Sequence, residues 1–329
     1  MARGQPQKGR GVLCEDSQVK YAFIEQQLME YPITKACTAL SVTASGFHAW
    51  KDRPEAQRTL DAQRLLFQIK TLFNQYQRRY GAPRIYRELI EQYGYDGSLA
   101  RVKRLMRQAG LRAKAKRKFK ATTDSNHAHP IAANLLGQQF QAARPNQTWL
   151  SDLTYIRTQE GWLYLAGVLD LYTREIVALG QPLGWAMGSR MTQQLVIDAL
   201  RMAWFRKHPG KHSKLLFHSD RGSQYASLAF RKVLKDYGMV QSMSGTGNCY
   251  DNAPMESFWH SLKVEEVHGQ NYVTREEATR AIVTYVEAFY NCERRHSSID
   301  YLSPRQFEKQ IYEQQNLNQN NSVKQSTKT

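Results

Sequence analysis

Thr148-Trp-Leu-Ser-Asp-Leu-Thr-Tyr-Ile156 is apolar and β-branched throughout except for one acid. Such a run reads as a strand buried between layers, where an unpaired charge is costly, so Asp152 needs a reason to be there. A second run of the same kind, Leu215-Leu-Phe-His-Ser-Asp220, ends on an acid and passes at once into Arg221, Gly222 and Ser223. That places Asp220 at the carboxyl end of a strand, where α/β sheets put their sites. A third acid follows the turn-rich stretch Ser244-Gly-Thr-Gly-Asn-Cys-Tyr-Asp-Asn-Ala-Pro254. Glu256 opens a helix through Phe258, Leu262 and Val264, with Pro254 suited to its first turn and Asp251 or Asn252 able to cap it.

The segments around these acids predict an α/β architecture. TWLSDLTYI, GWLYLAGVLDLY and EIVALGQ read as successive strands turning near Gly161 and Thr173. A helix over Met191 to Phe205, the strand ending in Asp220, a helix over Ala226 to Tyr237 and the strand Met239 to Met243 follow. Three strands and then alternating helices and strands imply a mixed sheet covered by helices, a catalytic core over 145–310. Trp149 and Trp162 are expected in its core. Glu276 to Asn291 carries Ala278, Ile282, Tyr285 and Phe289 at helical spacing. The polar, unpatterned segment 311–329 is expected to be disordered.

Ahead of the core the chain is helical and basic. Residues 1–144 hold 25 Lys and Arg against 11 Asp and Glu, while the remainder holds 21 against 18. The amino-terminal part is therefore the partner for a polyanion. Val19, Phe23, Ile24 and Leu28, then Ile33, Ala36 and Leu40, the turn Ser41-Val-Thr and a segment reaching Trp50 read as a helix-turn-helix within 1–57. In 58–116 a helix starts at Pro83 and stops at Gly94. Ser98 caps another with Leu99, Val102, Leu105 and Met106 on its apolar side. Arg101, Lys103, Arg104 and Arg107 cover its other faces as candidate DNA contacts. A basic linker over 117–144 follows; Lys116, Arg117 and Lys118 in the run RAKAKRKFK are placed to track phosphates.

Composition excludes other classes. No stretch approaches the eighteen apolar residues of a membrane span, and MARGQPQKGRG has no apolar segment behind its charges, so a cytoplasmic, nucleoid-associated protein is expected. Cys14, Cys37, Cys249 and Cys292 are widely spaced, which argues for thiols and against a disulfide framework. His208 and His212 have ligand-like spacing, but no cysteine pair completes a zinc site. There is no Walker-type phosphate loop.

Thirty-five residues separate Asp220 from Glu256, and Lys263 follows Glu256 by seven, almost two helical turns. This series resembles the DDE transposases and retroviral integrases with a ribonuclease H-like core. The words HSDRGSQY (218–225), GNCYDNAPMESFW (247–259) and YNCERRHSSIDYLSP (290–304) resemble more narrowly the orfB-type transposases of the IS-three family, over roughly residues 80–310.

Carboxylates suit hard cations, and two Mg²⁺ or Mn²⁺ ions roughly 3.5–4 Å apart serve in-line displacement at phosphorus. Asp152 is expected to bridge both ions, with Asp220 and Glu256 completing one shell each. Water then exposes a 3′ hydroxyl at an element end, and that hydroxyl joins another strand. Lys263 is expected to hold a DNA phosphate. His260, Arg294 and Arg295 are further candidates, the two arginines being equally suited to anchoring the core. The resemblance implies terminal inverted repeats and target DNA as partners, a homo-oligomer on DNA, a circular intermediate, and fusion to an upstream-frame product by frameshifting. A structure-selective nuclease on the same fold and a DNA-binding regulator are the competing readings.

Overall fold

A computed structural model describes residues 15–27, 31–54, 56–114, 130–179, 187–188, 190–245 and 249–326. The chain forms two compact units, residues 1–68 and 69–329. In the first, helices α1 (Ser17–Gln27), α2 (Ile33–Ala39) and α3 (Ala44–Lys51) close over Ile24, Ala36, Cys37, Leu40 and Phe47. Thr43 caps α3, its hydroxyl accepting from the Gly46 amide at 3.1 Å, so α2, the turn and α3 give the expected helix-turn-helix.

Helix α4 (Gln57–Gln75) has no Gly or Pro, and the division between the units falls within its span. The compact units divide at 68/69, eleven residues past the boundary expected at 57/58. From residue 69 onward, the helical region expected to stand apart belongs to the same compact unit as the core.

In that unit α5 (Ala82–Tyr93) and α6 (Leu99–Gln108) form the pair read from sequence. Gly94 ends α5 in the left-handed conformation with φ 61°, which glycine adopts without steric cost. The Ser98 hydroxyl accepts from the Arg101 amide at 3.3 Å to start α6.

The sheet comprises β1 (Thr148–Thr158), β2 (Gly161–Asp170), β3 (Ile176–Leu179), β4 (Met187–Gly188), β5 (Leu216–Ser219) and β6 (Val240–Met243). Its order is β3-β2-β1-β5-β6, with β4 pairing β2. The β1–β2 and β2–β3 pairs are antiparallel; β1–β5 and β5–β6 are parallel. Long α7 (Gln193–Lys207) carries the chain across one face, with short α8 (Ser223–Ala226) and α9 (Leu228–Asp236) beside it. Trp149, Ala166, Val168 and Phe217 pack there against Leu200 and Phe230. This is the mixed, helix-flanked sheet expected.

The opposite face is covered by α10 (Ala253–Leu262) and α11 (Arg275–Thr284), which pack on β1 and β2. Both continue into π turns, Lys263–Val267 and Tyr285–Tyr290, where one uniform helix was expected. Periodicity near 3.6 does not mark where a turn widens. Helix α12 (Pro304–Ser326) replaces the disorder expected from residue 311 onward, residues 327–329 lying outside the described ones. Its start is fixed by Phe307 against Tyr172 and Glu308 paired with Lys207, and a helix nucleated on such contacts extends at little cost. Trp149 is buried, but Trp162 is 45% exposed, a correction to its expected place in the core. It lies one residue past the β1–β2 turn, edge-on to Tyr155. Among the described residues, no helix is long and apolar enough to cross a membrane.

Candidate active site

Strand register brings the first two acids together. Parallel β1 and β5 pair Leu150 with His218 and Ser151 with Ser219. The next residues, Asp152 and Asp220, therefore leave neighbouring strands on the same face, strands being about 4.8 Å apart. Asp220 is steadied by the Gly222 amide, which donates to its Oδ1 at 2.9 Å. His218, two residues back on that face, is held between Ser242 Oγ at 2.8 Å and Ser244 Oγ at 3.2 Å. Burial lowers its pKa to about 4, so it is a neutral prop beneath the strand end.

The third acid arrives on α10. Asn252 lies before the first turn but makes no side-chain cap; its Nδ2 donates instead to the Ser151 carbonyl at 3.1 Å. Asp251 accepts from the Gly245 amide and from Asn134 and Gln138, tying the preceding turn to the segment before β1. The expected cap is thus replaced by anchors to β1 and to this turn. Helix α10 then runs close over β2: a Cβ on Gly167, which pairs with Asp152 across β1 and β2, would lie 2.9 Å from the Trp259 ring. Through that gap Trp259 Nε1 donates to Asp152 Oδ2 at 3.1 Å. Glu256 lies one turn earlier on the same helix and is exposed.

Electrostatics join the three acids. Burial raises the Asp152 carboxyl well above the ordinary range, the negative charge of Asp220 adds to it and that of Glu256 adds less, against the Leu153 amide and the Trp259 indole. Partial desolvation of its carboxyl also raises Glu256, although the residue as a whole is exposed. Burial and the charges of Asp220 and Asp152 push Tyr225 up, its hydroxyl 2.9 Å from Ser151 Oγ. An all-carboxylate donor set suits hard divalent cations, and the mutual repulsion felt by Asp152 is what a cation neutralises. Among the described residues, no three His, Cys, Asp or Glu side chains already close into a metal cage.

The other candidates separate. Lys263 is 9% exposed, with its ammonium 5.5 Å from the Tyr155 ring centre. Burial lowers its pKa to about 8, against the pull of Asp152. His260 is exposed on α10, as are Lys103, Arg104 and Arg107 on α6, with Arg101 half-buried. Lys116, Arg117 and Lys118 lie outside the described residues. Arg294 and Arg295 are 5% and 8% exposed and paired with Glu265 and Glu88. Glu265 and Glu88 are themselves buried, an arrangement that suits the anchoring reading of the two arginines. Trp259 was not among the candidates, though a tryptophan one turn after a catalytic-type acid in MESFW signals an indole donor in need of a partner.

The chain is similar to known proteins over most of its length. Residues 142–249 and 256–312 match two family profiles, each described as an integrase core domain, and residues 60–119 match an HTH-like domain. The transposase InsF of insertion sequence IS3A from Escherichia coli strain K12 is 44% identical over 297 residues, 88% of this chain and 98% of that protein. The chain belongs to the IS3 family of transposases. A second relative, an uncharacterized 31 kDa protein of insertion element IS600 from Shigella sonnei, is 44% identical over 277 residues, 84% of this chain and 98% of that one. Among solved structures, the magnesium-bound HTLV-2 integrase catalytic core has a TM-score of 0.37 at 15% identity, covering 51% of this chain and 99% of that one. As an IS3-family transposase the chain acts in transposition, and its integrase core transfers polynucleotide strands.

Proposed function

We propose that this transposase cleaves DNA at the terminal repeats of its element and joins the freed 3′ hydroxyl to a second strand, using Asp152, Asp220 and Glu256 as its acidic centre. The observation that carries this is the β1–β5 register, which sets Asp152 beside Asp220, with the Glu256 charge reaching the same carboxyl. These three residues would hold two Mg²⁺ or Mn²⁺ ions, which would polarise the scissile phosphate and activate the attacking hydroxyl.

The chain's own groups do the positioning. The Gly222 amide holds Asp220 and the Trp259 indole holds Asp152. Arg101, Lys103, Arg104 and Arg107 of α6 grip phosphates of the duplex, α2–α3 supplies a second reading element, and the basic segment Lys116, Arg117 and Lys118, which leads from α6 to the core in the chain, tracks the backbone. Lys263 serves the phosphate at the cut. In each step an oxygen, first of water and then of the DNA 3′ hydroxyl, attacks phosphorus in line as the opposite P–O bond breaks. Several copies act together on paired ends and target DNA, and the upstream-frame product joins as a fused or separate partner.

The test uses a 5′-labelled duplex copied from the end of the element, with Mg²⁺ or Mn²⁺. Wild type yields cleaved and joined products. Asp152→Asn, Asp220→Asn and Glu256→Gln each abolish both while a gel shift persists. Cleavage retained in any of the three overturns the site. Cleavage without joining indicates the nuclease reading, and binding without cleavage the regulator.

A further inference from the structure

Nine residues beyond Glu256, the Glu265 carboxylate is 5% exposed yet fully engaged. Arg294 Nε donates to its Oε2 at 2.9 Å and Nη2 to its Oε1 at 2.7 Å, while the Tyr285 hydroxyl donates to Oε2 at 2.8 Å. Burial alone would raise this acid, but Arg294, Arg84 and Tyr285 together hold it below the ordinary carboxylate range. Arg294 Nη2 also donates to Ser261 Oγ at 2.9 Å. Ser261 and Glu265 are one turn apart on α10 and its π continuation, so this arginine grips the helix that bears Glu256.

Groups from the α5–α6 region close on the same segment. Arg84 Nε donates to the Arg295 carbonyl at 2.9 Å, and Arg295 is ion-paired with Glu88 and Glu91 of α5. The Tyr80 hydroxyl donates to the Glu293 carbonyl at 3.2 Å and accepts from the Arg295 amide at 3.1 Å. Lys114, just past α6, donates to the Glu265 carbonyl at 2.6 Å. A buried ion-pair set of this size contributes little net stability over apolar packing, while fixing the relative placement of what it joins.

We propose that Glu265, Arg294 and Arg295 are positioning residues that lock the α5–α6 pair, through α5 and the segment after α6, to the helix carrying Glu256, so that a duplex gripped by α6 is presented to the acids at one register. This rests on the reading of α6 as a DNA-contact helix and Glu256 as a catalytic acid. The lock predicts that loosening it scatters the place of the cut. It does not by itself weaken the grip on DNA.

The experiment compares wild type, the double variant Glu88→Gln/Arg295→Gln and Tyr80→Phe in the full chain. The double variant leaves no buried unpaired charge at that pair. Tyr80→Phe keeps the ring stacked on Tyr76 and removes only its hydroxyl. Thermal unfolding is measured alongside, and cuts on the labelled terminal duplex are mapped to the nucleotide. The expected result is a DNA affinity within about threefold of wild type, at least a tenfold loss of cleavage at the wild-type phosphate, and cuts spread to neighbouring positions. Tyr80→Phe should shift the distribution in the same direction to a lesser degree. A folded variant cutting only at the wild-type phosphate at the wild-type rate overturns the lock, and Tyr80→Phe alone decides the matter if the double variant does not fold. Failure of the underlying reading is distinct: Glu256→Gln would still cut, or Arg104→Glu/Arg107→Glu would bind DNA as wild type does.

Discussion

Trp259 donates its indole N–H to the carboxylate of Asp152 at 3.1 Å, through a gap that exists because residue 167 is glycine. The bond removes one degree of freedom from an acid repelled by its neighbours. Trp259→Phe keeps the ring but loses the donor, so the concentration of Mn²⁺ needed for half-maximal binding by calorimetry should rise severalfold, with the unfolding midpoint nearly unchanged. Gly167→Ala should lower that midpoint, because overpacking costs roughly 1–3 kcal/mol. An unaltered Mn²⁺ isotherm in Trp259→Phe would show that the indole only packs.

Neutralising one of two adjacent acids should stabilise the metal-free chain. Asp152→Asn relieves repulsion from Asp220 and retains an oxygen for Trp259. Its thermal midpoint without metal should exceed that of wild type, and the rise produced by Mg²⁺ in wild type should vanish, since a ligand stabilises only the state that binds it. An equal Mg²⁺-induced rise in wild type and Asp152→Asn would remove this carboxylate from the metal site.

Lys263 is expected to act on DNA and not on the metal. Lys263→Ala should lower the cleavage rate by about tenfold or more, as a charge-assisted hydrogen bond contributes about 1.5–3 kcal/mol, and Lys263→Arg should recover part of it. Rates measured against Mg²⁺ and against DNA concentration separate the roles: a shift confined to the Mg²⁺ dependence contradicts the assignment.

If α6 grips phosphates as proposed, its exposed arginines should set the salt dependence of binding. Arg104→Glu/Arg107→Glu should weaken binding to duplexes of any sequence. It should also flatten the plot of log affinity against log salt by about 2 if each side chain neutralises one phosphate. An unchanged slope would mean that α6 does not touch the backbone.

His296 gives stability a pH dependence of defined sign. Burial, together with the positive charges of Arg294, Arg84 and Arg174, pushes its pKa well below the ordinary value, and its ring packs edge-on to Tyr290. The folded state keeps it neutral, so its contribution is fully present above about pH 6.5 and is lost as pH falls below that value, where the unfolded chain takes up a proton. Urea titrations from pH 7 to pH 5 should show stability falling, with this one group contributing at most about 1.4 kcal/mol per pH unit. His296→Gln should flatten the fall; an identical slope in the variant refutes the attribution.

What could be read from the sequence was whatever local chemistry determines. Asp152 and Asp220 stood out because strands resist isolated charge, and Ser98 and Gly94 marked helix ends because capping and left-handed backbone belong to particular side chains. The partners of Arg294 and Arg295 could not be read in this way: Arg295 meets Glu88 across 207 positions. Widened turns after Leu262 and Thr284 preserve the apolar spacing of a regular helix, and the α12 tail depends on what holds its first turns. Trp162 has a core residue's composition, but its place beside a hairpin turn exposes it.

The pairing of Glu88 with Arg295 also sets a clock. At synthesis rates of about 5–20 residues per second, α5 waits roughly 10–40 seconds for its buried counter-ion to emerge from the ribosome. During that interval Glu88 is solvated, α5–α6 lacks its support, and the segment bearing Glu256 becomes available only late in translation. In the nascent transposase the α5–α6 pair therefore gains its support only after the segment bearing Glu256 has been made, so the proposed gripping and cutting elements mature together. Proteolysis of ribosome-stalled chains ending before and after residue 295 measures this delay, with protection of α5 expected only in the longer chain.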